Sequence, residues 1–450
     1  MPFISRFICM FLLSTSVMMA TEFIVKDVSR EDNKTSTWIA LPYIFSSSST
    51  GLTGGVVGIF HGFLQPQMTM VATVFRGETL PIEEIYVGQV NEEEAYAKGW
   101  FLALSGVRVP YTKRFFVSLL GMRAYYPNQR LYLDGNNDSV QNLDPDKTTF
   151  YPTPVITQGW NNWAYIDLRY ILPMGESKDK ALPIIETSRG IAVNRDNVGG
   201  GLPFVTGQTI VALKPFYNLW TADKLQPNLP QIATNGLKFV FQHDNTDYPD
   251  NPLRGYSFSF QYAEDFGQGA STQAWNSIEA EYSHYFELPK ASWMRHDVLA
   301  INVWSAYSPS WDKSSPYIFE DGTAAENIDE GQPPMWEGAR LGGWDRLRAY
   351  DSSRFSDKAA LYGAVEYRFI PQLNPMRDQK WSPIPIMWFQ GVRFAEAGRV
   401  APQYDLELFE DLKYDVGFSI RALTATVPVR FEMAWGSEGS TMWVMLKQPF

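Results

Sequence analysis

The chain has 450 residues, of which 45% are hydrophobic, 15% aromatic and only 19% charged, and its formal net charge is −11. That acidic balance excludes a surface built to hold a nucleic-acid backbone. Fifteen Trp and 23 Tyr in a mildly polar chain fit a barrel with aromatic girdles around a polar lumen, or an aromatic-rich secreted β-protein that binds glycans.

Residues 1–20 read as a secretory signal peptide: one charge at Arg6, an apolar run from Phe7 to Leu13, then small residues up to Ala20. Ser14, Thr15 and Ser16 interrupt the run far short of the ~18 residues a spanning helix needs. The single cysteine, Cys9, lies inside this segment, so the mature chain is expected to hold no disulfide and no Cys-ligated metal. Loss of the segment removes only Arg6, leaving 37 basic against 49 acidic residues. The 17 residues from Thr21 to Thr37 are expected to form a short periplasmic segment, with no room for a folded periplasmic domain. No later stretch is apolar enough for a transmembrane helix, so a membrane-spanning form must be a closed barrel.

Alternation predicts strands at 38–46, 53–63, 68–76, 99–108, 114–126, 159–172, 207–220, 235–244, 254–264, 275–288, 296–308, 358–370, 384–397, 414–424, 427–436 and 440–450, sixteen in all. An even count is what bacterial single-chain barrels have. With the first strand starting in the periplasm, the connections at 64–67, 109–113, 245–253, 289–295, 371–383 and 425–426 are mostly short, and those at 77–98, 127–158, 309–357 and 398–413 are long and lie outside. The connection 173–206 is the exception, long on the short side. Residues 38–450 therefore read as one all-β domain, a transmembrane antiparallel β-barrel.

Strand phase assigns faces. Tyr256, Phe258, Phe260 and Tyr262 share one face and Ser257, Ser259 and Gln261 the other. Tyr414, Val416, Phe418 and Ile420 oppose Asp415, Ser419 and Arg421, and Val429, Phe431 and Met433 oppose Arg430 and Glu432. Half-buried soluble strands alternate too, yet here the polar face carries charges of both signs, as a salt-bridged lumen would. In the last strand Met442, Val444, Leu446, Gln448 and Phe450 form the outward set and Trp443, Met445, Lys447 and Pro449 the other.

Residues 338–350, Gly-Ala-Arg-Leu-Gly-Gly-Trp-Asp-Arg-Leu-Arg-Ala-Tyr, followed by Leu-Tyr-Gly-Ala-Val-Glu-Tyr-Arg-Phe at 361–369, resemble the most recognisable segment of the BamA/TamA family of outer-membrane proteins, also called bacterial surface antigens. The Asp-rich turn from Asp244 to Pro252, followed by Arg254-Gly255-Tyr256, is similar to a periplasmic turn of that family, and Phe450 matches its terminal aromatic. The resemblance covers 235–450. It implies a long surface loop folded into the lumen, its tip Arg348, Ala349, Tyr350 locked by Arg348 to Glu366 and Glu396, with Gly342, Gly343, Gly363 and Gly398 as motif glycines. Ala349 stands where the family has Gly, which disfavours a positive φ at the tip. Independently of the family, an Arg fork meeting carboxylates in a narrow lumen makes strong charge-assisted bonds.

The resemblance further implies an assembly signal in Met442, Val444, Leu446 and Phe450 read by the barrel-assembly machinery, contact with outer-membrane lipids, and action on client outer-membrane proteins in insertion or translocation. Relative to the family, periplasmic polypeptide-transport repeats are expected to be missing. No cofactor and no nucleic acid is expected. The alternatives are a passive channel or structural surface barrel, and a secreted glycan-binding or hydrolytic β-protein. Among His61, His243, His284 and His296 none has a metal-ligand spacing. Glu279 and Glu281 share a strand face, as glycosidase carboxylates can; lumen lining explains them as well.

Overall fold

The computed structural model describes residues 24–27, 37–47, 50–62, 64–65, 68–77, 96–109, 112–131, 155–175, 184–194, 200–221, 231–289, 291–312, 317–318, 324–325, 330–376, 386–424 and 427–450. The expected signal peptide lies outside them. One antiparallel sheet of sixteen strands dominates. Its strands are β1 (Thr37–Ser47), β2 (Gly51–His61), β3 (Thr69–Gly77), β4 (Lys98–Arg108), β5 (Phe115–Leu131), β6 (Val155–Ile171), β7 (Gln208–Trp220) and β8 (Ile232–Asp244). They continue as β9 (Gly255–Asp265), β10 (Trp275–Glu287), β11 (Met294–Tyr307), β12 (Ala359–Pro371), β13 (Ile386–Ala401), β14 (Lys413–Thr424), β15 (Val427–Gly436) and β16 (Gly439–Leu446).

Each strand pairs with its neighbours in sequence, and all sixteen expected strands are present with ends shifted by a few residues. The ladders run in order from β1 to β16, the two ends of the sheet. The sheet curls because one face must bury charge and the other must not. In β14, Asp415, Ser419 and Arg421 are buried while Tyr414, Val416 and Ile420 are exposed. Trp38, Val56, Val74 and Trp100 continue the exposed apolar face on the opposite part of the sheet, the pattern of a barrel wall turned toward lipid.

The long 173–206 connection does not disturb the register, since β6 and β7 pair directly, Ile171 opposite Ile210 and Asn161 opposite Trp220. Its extra length folds into a hairpin of Ile184–Ser188 and Ile191–Ala192. Ile24–Asp27, from the short segment ahead of the barrel, adds to it in parallel. The hairpin turn is seated against β13 and β14: Trp388 Nε1 donates 2.8 Å to the Gly190 carbonyl, and Ile191 packs with Ile370, Trp388 and Leu423. Ile185 and Ala192 close over Tyr248 of the β8–β9 turn.

One expectation is corrected. The last strand stops at Leu446 rather than continuing to 450. Lys447 adopts a positive φ of 63°, and Pro449 has no N–H to donate to a ladder. Gln448 and Phe450 therefore leave the outward set, and the Phe450 ring packs inside the barrel beside Leu253, Tyr285 and Val298.

Candidate functional site

The connection between β11 and β12 turns back into the barrel. Gly342 sits at φ +103°, where a Cβ would lie 2.3 Å from the Asp351 carbonyl, so only glycine passes. Gly343 follows at φ +128°. A short pair, Arg340–Leu341 with Phe355–Ser356, closes the base of the turn, and Leu341 packs where Gly398 of β13 leaves space for it. Gly363 faces away from this site, with only a distant Asn302 carbonyl nearby.

At the tip, Arg348 is fully buried. Its Nε donates to Glu396 Oε1 at 2.9 Å, its backbone N–H to Glu396 Oε2 at 2.8 Å, and its Nη1 to Glu432 Oε1 at 2.9 Å. Nη2 lies 2.9 Å from Glu366 Oε1 as an ion pair without hydrogen-bond alignment. The guanidinium lies over the Phe394 ring, 3.5 Å from its centroid. Glu366 on β12, Glu396 on β13 and Glu432 on β15 thus converge on one residue of the loop. Arg393 takes the opposite face of β13 from Glu396 in regular register, without a bulge between them.

Three further arginines join the cluster. Arg368 Nε donates 2.7 Å to Glu366, Arg421 Nη2 donates 2.8 Å to the same carboxylate, and Arg430 Nη1 donates 2.6 Å to Glu432. Isolated buried ions cost several kcal/mol each, so burial here requires that every charge has a partner. Arg348, Arg368, Arg421 and Arg430 pair with Glu366, Glu396 and Glu432.

The tip reaches the remaining strands through its backbone. Ala349 N–H donates 2.8 Å to Asp415 on β14. The Arg348 carbonyl accepts from Trp443 Nε1 at 2.7 Å and from the Thr441 hydroxyl, both on β16. Tyr350 donates 3.1 Å to the Tyr414 carbonyl, and Tyr362 donates 2.6 Å to Glu396. The positive φ falls on Leu347, 52°, not on Ala349. An alanine therefore serves at the tip, and Gly436 of β15 makes room for it: a Cβ there would lie 3.0 Å from the Ala349 Cβ.

Sequence phase placed Glu432 and Asp415 inward without linking them to Arg348; their distance along the chain hid the contact. Trp443 and Thr441 carried no signal as loop partners. Of the outward set in β16, Met442 pairs with Met433, while the side chains of Val444 and Leu446 lie outside the described residues, as does that of His61. Phe450 stacks under Arg368, 4.8 Å from guanidinium to ring, and its carbonyl accepts 3.1 Å from Arg368 Nη2. Gln448 accepts from Arg421 and donates to Gln390. His243 bonds Thr209 at 2.9 Å, and His284 stacks on Phe286 at 4.3 Å. Glu279 and Glu281 line the interior, held by Gln261, Trp304 and Asn302.

No protein-family model and no curated protein matches the sequence. CdiB from Escherichia coli superposes with a TM-score of 0.54 at 10% identity, covering 93% of this chain and 63% of its own. The chain shares the barrel fold of CdiB. It spans less than two thirds of that protein's length. BamA from Haemophilus ducreyi lacking POTRA domains 1-3 gives a TM-score of 0.46 at 12% identity, over 92% of this chain and 70% of that one. CdiB from Acinetobacter baumannii gives 0.48 at 11%, over 91% and 58%. Those two scores fall below 0.5 and add nothing to the fold assignment.

Proposed function

We propose that this protein is an outer-membrane barrel that assists the insertion or translocation of other proteins, with Arg348 locking the inward loop to the five strands that end the barrel. The observation that carries the reading is the position of the loop tip. It grips β12 to β16, up to the last strand of the sheet, where a barrel has to open if a client strand is to enter. The resemblance of residues 338–370 to the BamA/TamA segment and the shared CdiB fold support the same reading. Outer-membrane lipids and client outer-membrane proteins are the partners it requires. The motif at Met442, Val444, Leu446 and Phe450 acts, on this reading, on the unfolded chain, so the later burial of Phe450 does not oppose a role in assembly.

Reconstitution tests the proposal. Liposomes carrying this protein are expected to accelerate folding of a urea-unfolded test barrel over protein-free liposomes, and Arg348→Ala is expected to change that rate. Equal rates with and without the protein would remove the proposal.

A further inference from the structure

The outer face of the wall loses its apolar character where β7 begins and β8 ends. Leu213 pairs with Phe239 and Val211 with Phe241, but the next outward pair is Thr209 with His243. A hydroxyl and an imidazole turned toward hydrocarbon are costly unless they are bonded and covered. Thr209 and His243 are bonded to each other at 2.9 Å and buried. Residues 200–207 lie over them on the outside of the wall, with the Phe204 ring 4.5 Å from that of His243.

This segment presents more apolar surface than the cover requires. Leu202, Phe204 and Val205 are 70%, 51% and 58% exposed. Buried Asn245, in the β8–β9 turn, fixes the segment that carries them. Its carbonyl accepts from the Gly200 N–H at 2.7 Å, its side-chain amide donates 3.0 Å to the Gly201 carbonyl, and its Oδ1 accepts from the Thr206 hydroxyl at 2.6 Å. The Leu202 carbonyl closes the turn by accepting from the Thr206 N–H at 3.1 Å. Phe204 holds a φ of 58°, a left-handed conformation that a bulky side chain keeps only where its surroundings impose it. Exposed apolar side chains held this firmly mark a contact surface.

The surface it continues is the lipid-facing one. From Phe204 and His243 the rings run on through Tyr256, Tyr282, His284 and Phe286 on the outer face of β9 and β10, with successive centroids 5.6, 5.8, 6.0 and 4.3 Å apart. At the same end of the barrel Trp293 is half exposed and stands edge-on to Phe369 of the outer wall at 5.9 Å. Rings belted around one end of a barrel sit at the water–lipid boundary. Building on the membrane-barrel reading, we propose that residues 202–205 form a foot inserted among the acyl chains of the leaflet at this rim. It seals the Thr209–His243 pair from lipid and fixes the depth of the barrel on the β7–β8 side.

Spin-label depth measurement in phosphatidylcholine liposomes tests this. With Cys9 replaced by Ser, a nitroxide is placed on Leu202→Cys, on Val365→Cys at the exposed outer face of β12, and on Ala270→Cys in the exposed β9–β10 turn at the other end. Collisions are compared for oxygen, which concentrates in lipid, and for a nickel chelate confined to water. The oxygen-to-nickel ratio at 202 is expected to exceed that at 270 several-fold and to approach that at 365. A ratio at 202 equal to that at 270, with 365 in lipid, would overturn the foot and leave the barrel standing. Water-like ratios at both 202 and 365 would remove the barrel reading with it. A label at 202 shielded from both reagents would assign the surface to a protein partner and overturn the lipid contact. Val205→Cys is read in the same way if Leu202→Cys does not fold.

Discussion

The indole N–H of Trp443 donates a 2.7 Å hydrogen bond to the backbone carbonyl of Arg348. The residue whose side chain holds the carboxylates of β12, β13 and β15 thereby also holds β16, the last strand of the sheet. Trp443→Phe keeps the ring and removes the donor, a loss of about 1 kcal/mol. Amide exchange within β16 is expected to speed up while β12 to β14 stay protected. Unchanged exchange in β16 would show that the Thr441 contact alone suffices.

Arg348→Ala leaves three carboxylates facing an empty site. Removing one partner of a buried ion pair costs about 3–5 kcal/mol, so the variant is expected to lose its heat-modifiable gel mobility at a lower temperature. Arg348→Lys keeps the charge without the planar fork and is expected to fall between the two. A melting curve for Arg348→Ala that overlays wild type would contradict the lock.

Gly190 holds the turn that seats the 184–192 hairpin on the barrel. It has φ +73°, and a Cβ there would lie 2.4 Å from Leu423 Cδ2 and 2.9 Å from Met387 Cβ. Gly190→Ala combines a left-handed alanine, roughly 1–2 kcal/mol, with overpacking of about 1–3 kcal/mol. The effect is local, so trypsin cleavage at Arg189 is expected to accelerate while barrel melting changes little. Equal cleavage rates would mean the hairpin is not seated as described.

Asp250, in the turn between β8 and β9, has its pKa raised by burial, against Lys447, which lowers it, and with Asp244, which raises it. A carboxylic acid whose folded-state pKa exceeds its unfolded value binds its proton more tightly when folded. Its contribution is full below the unfolded pKa, about 3.9, and is lost as pH rises through the raised value. Hydrogen exchange in 246–254, corrected for the intrinsic rate, is expected to show the turn loosening over that rise. Asp250→Asn should flatten the dependence; a profile identical to wild type would assign it to another group.

Strand number and phase were legible because alternation is a local signal. Tyr362 and Glu366 could be assigned an inward face from their own strand, and the motif named Arg348 with Glu366 and Glu396. The loop's depth was not legible. Whether Arg348 also reaches Glu432 and Trp443, 84 and 95 positions away, depends on how far the tip descends, and no local pattern encodes that. The turn at Lys447 escaped for a related reason. Gln448 and Phe450 continue the alternation of β16, yet Arg368 and Arg421 offer them partners inside, and tertiary contact overrides the period. The 173–206 segment looked misplaced because its pairing partner, Ile24–Asp27, lies 160 positions away.

The lock itself is tested most directly by cross-linking the tip to the wall. With Cys9 replaced by Ser, Ala349→Cys with Gly436→Cys places two thiols on Cβ atoms 3.0 Å apart, a small adjustment from disulfide range. Mild oxidation of folded protein in outer-membrane preparations is expected to give a bond that shifts migration on denaturing, non-reducing gels, and neither single variant should do so. Two cysteines that stay unlinked, with the one at 349 freely labelled by a bulky reagent from outside, would place the tip at the surface and contradict the account.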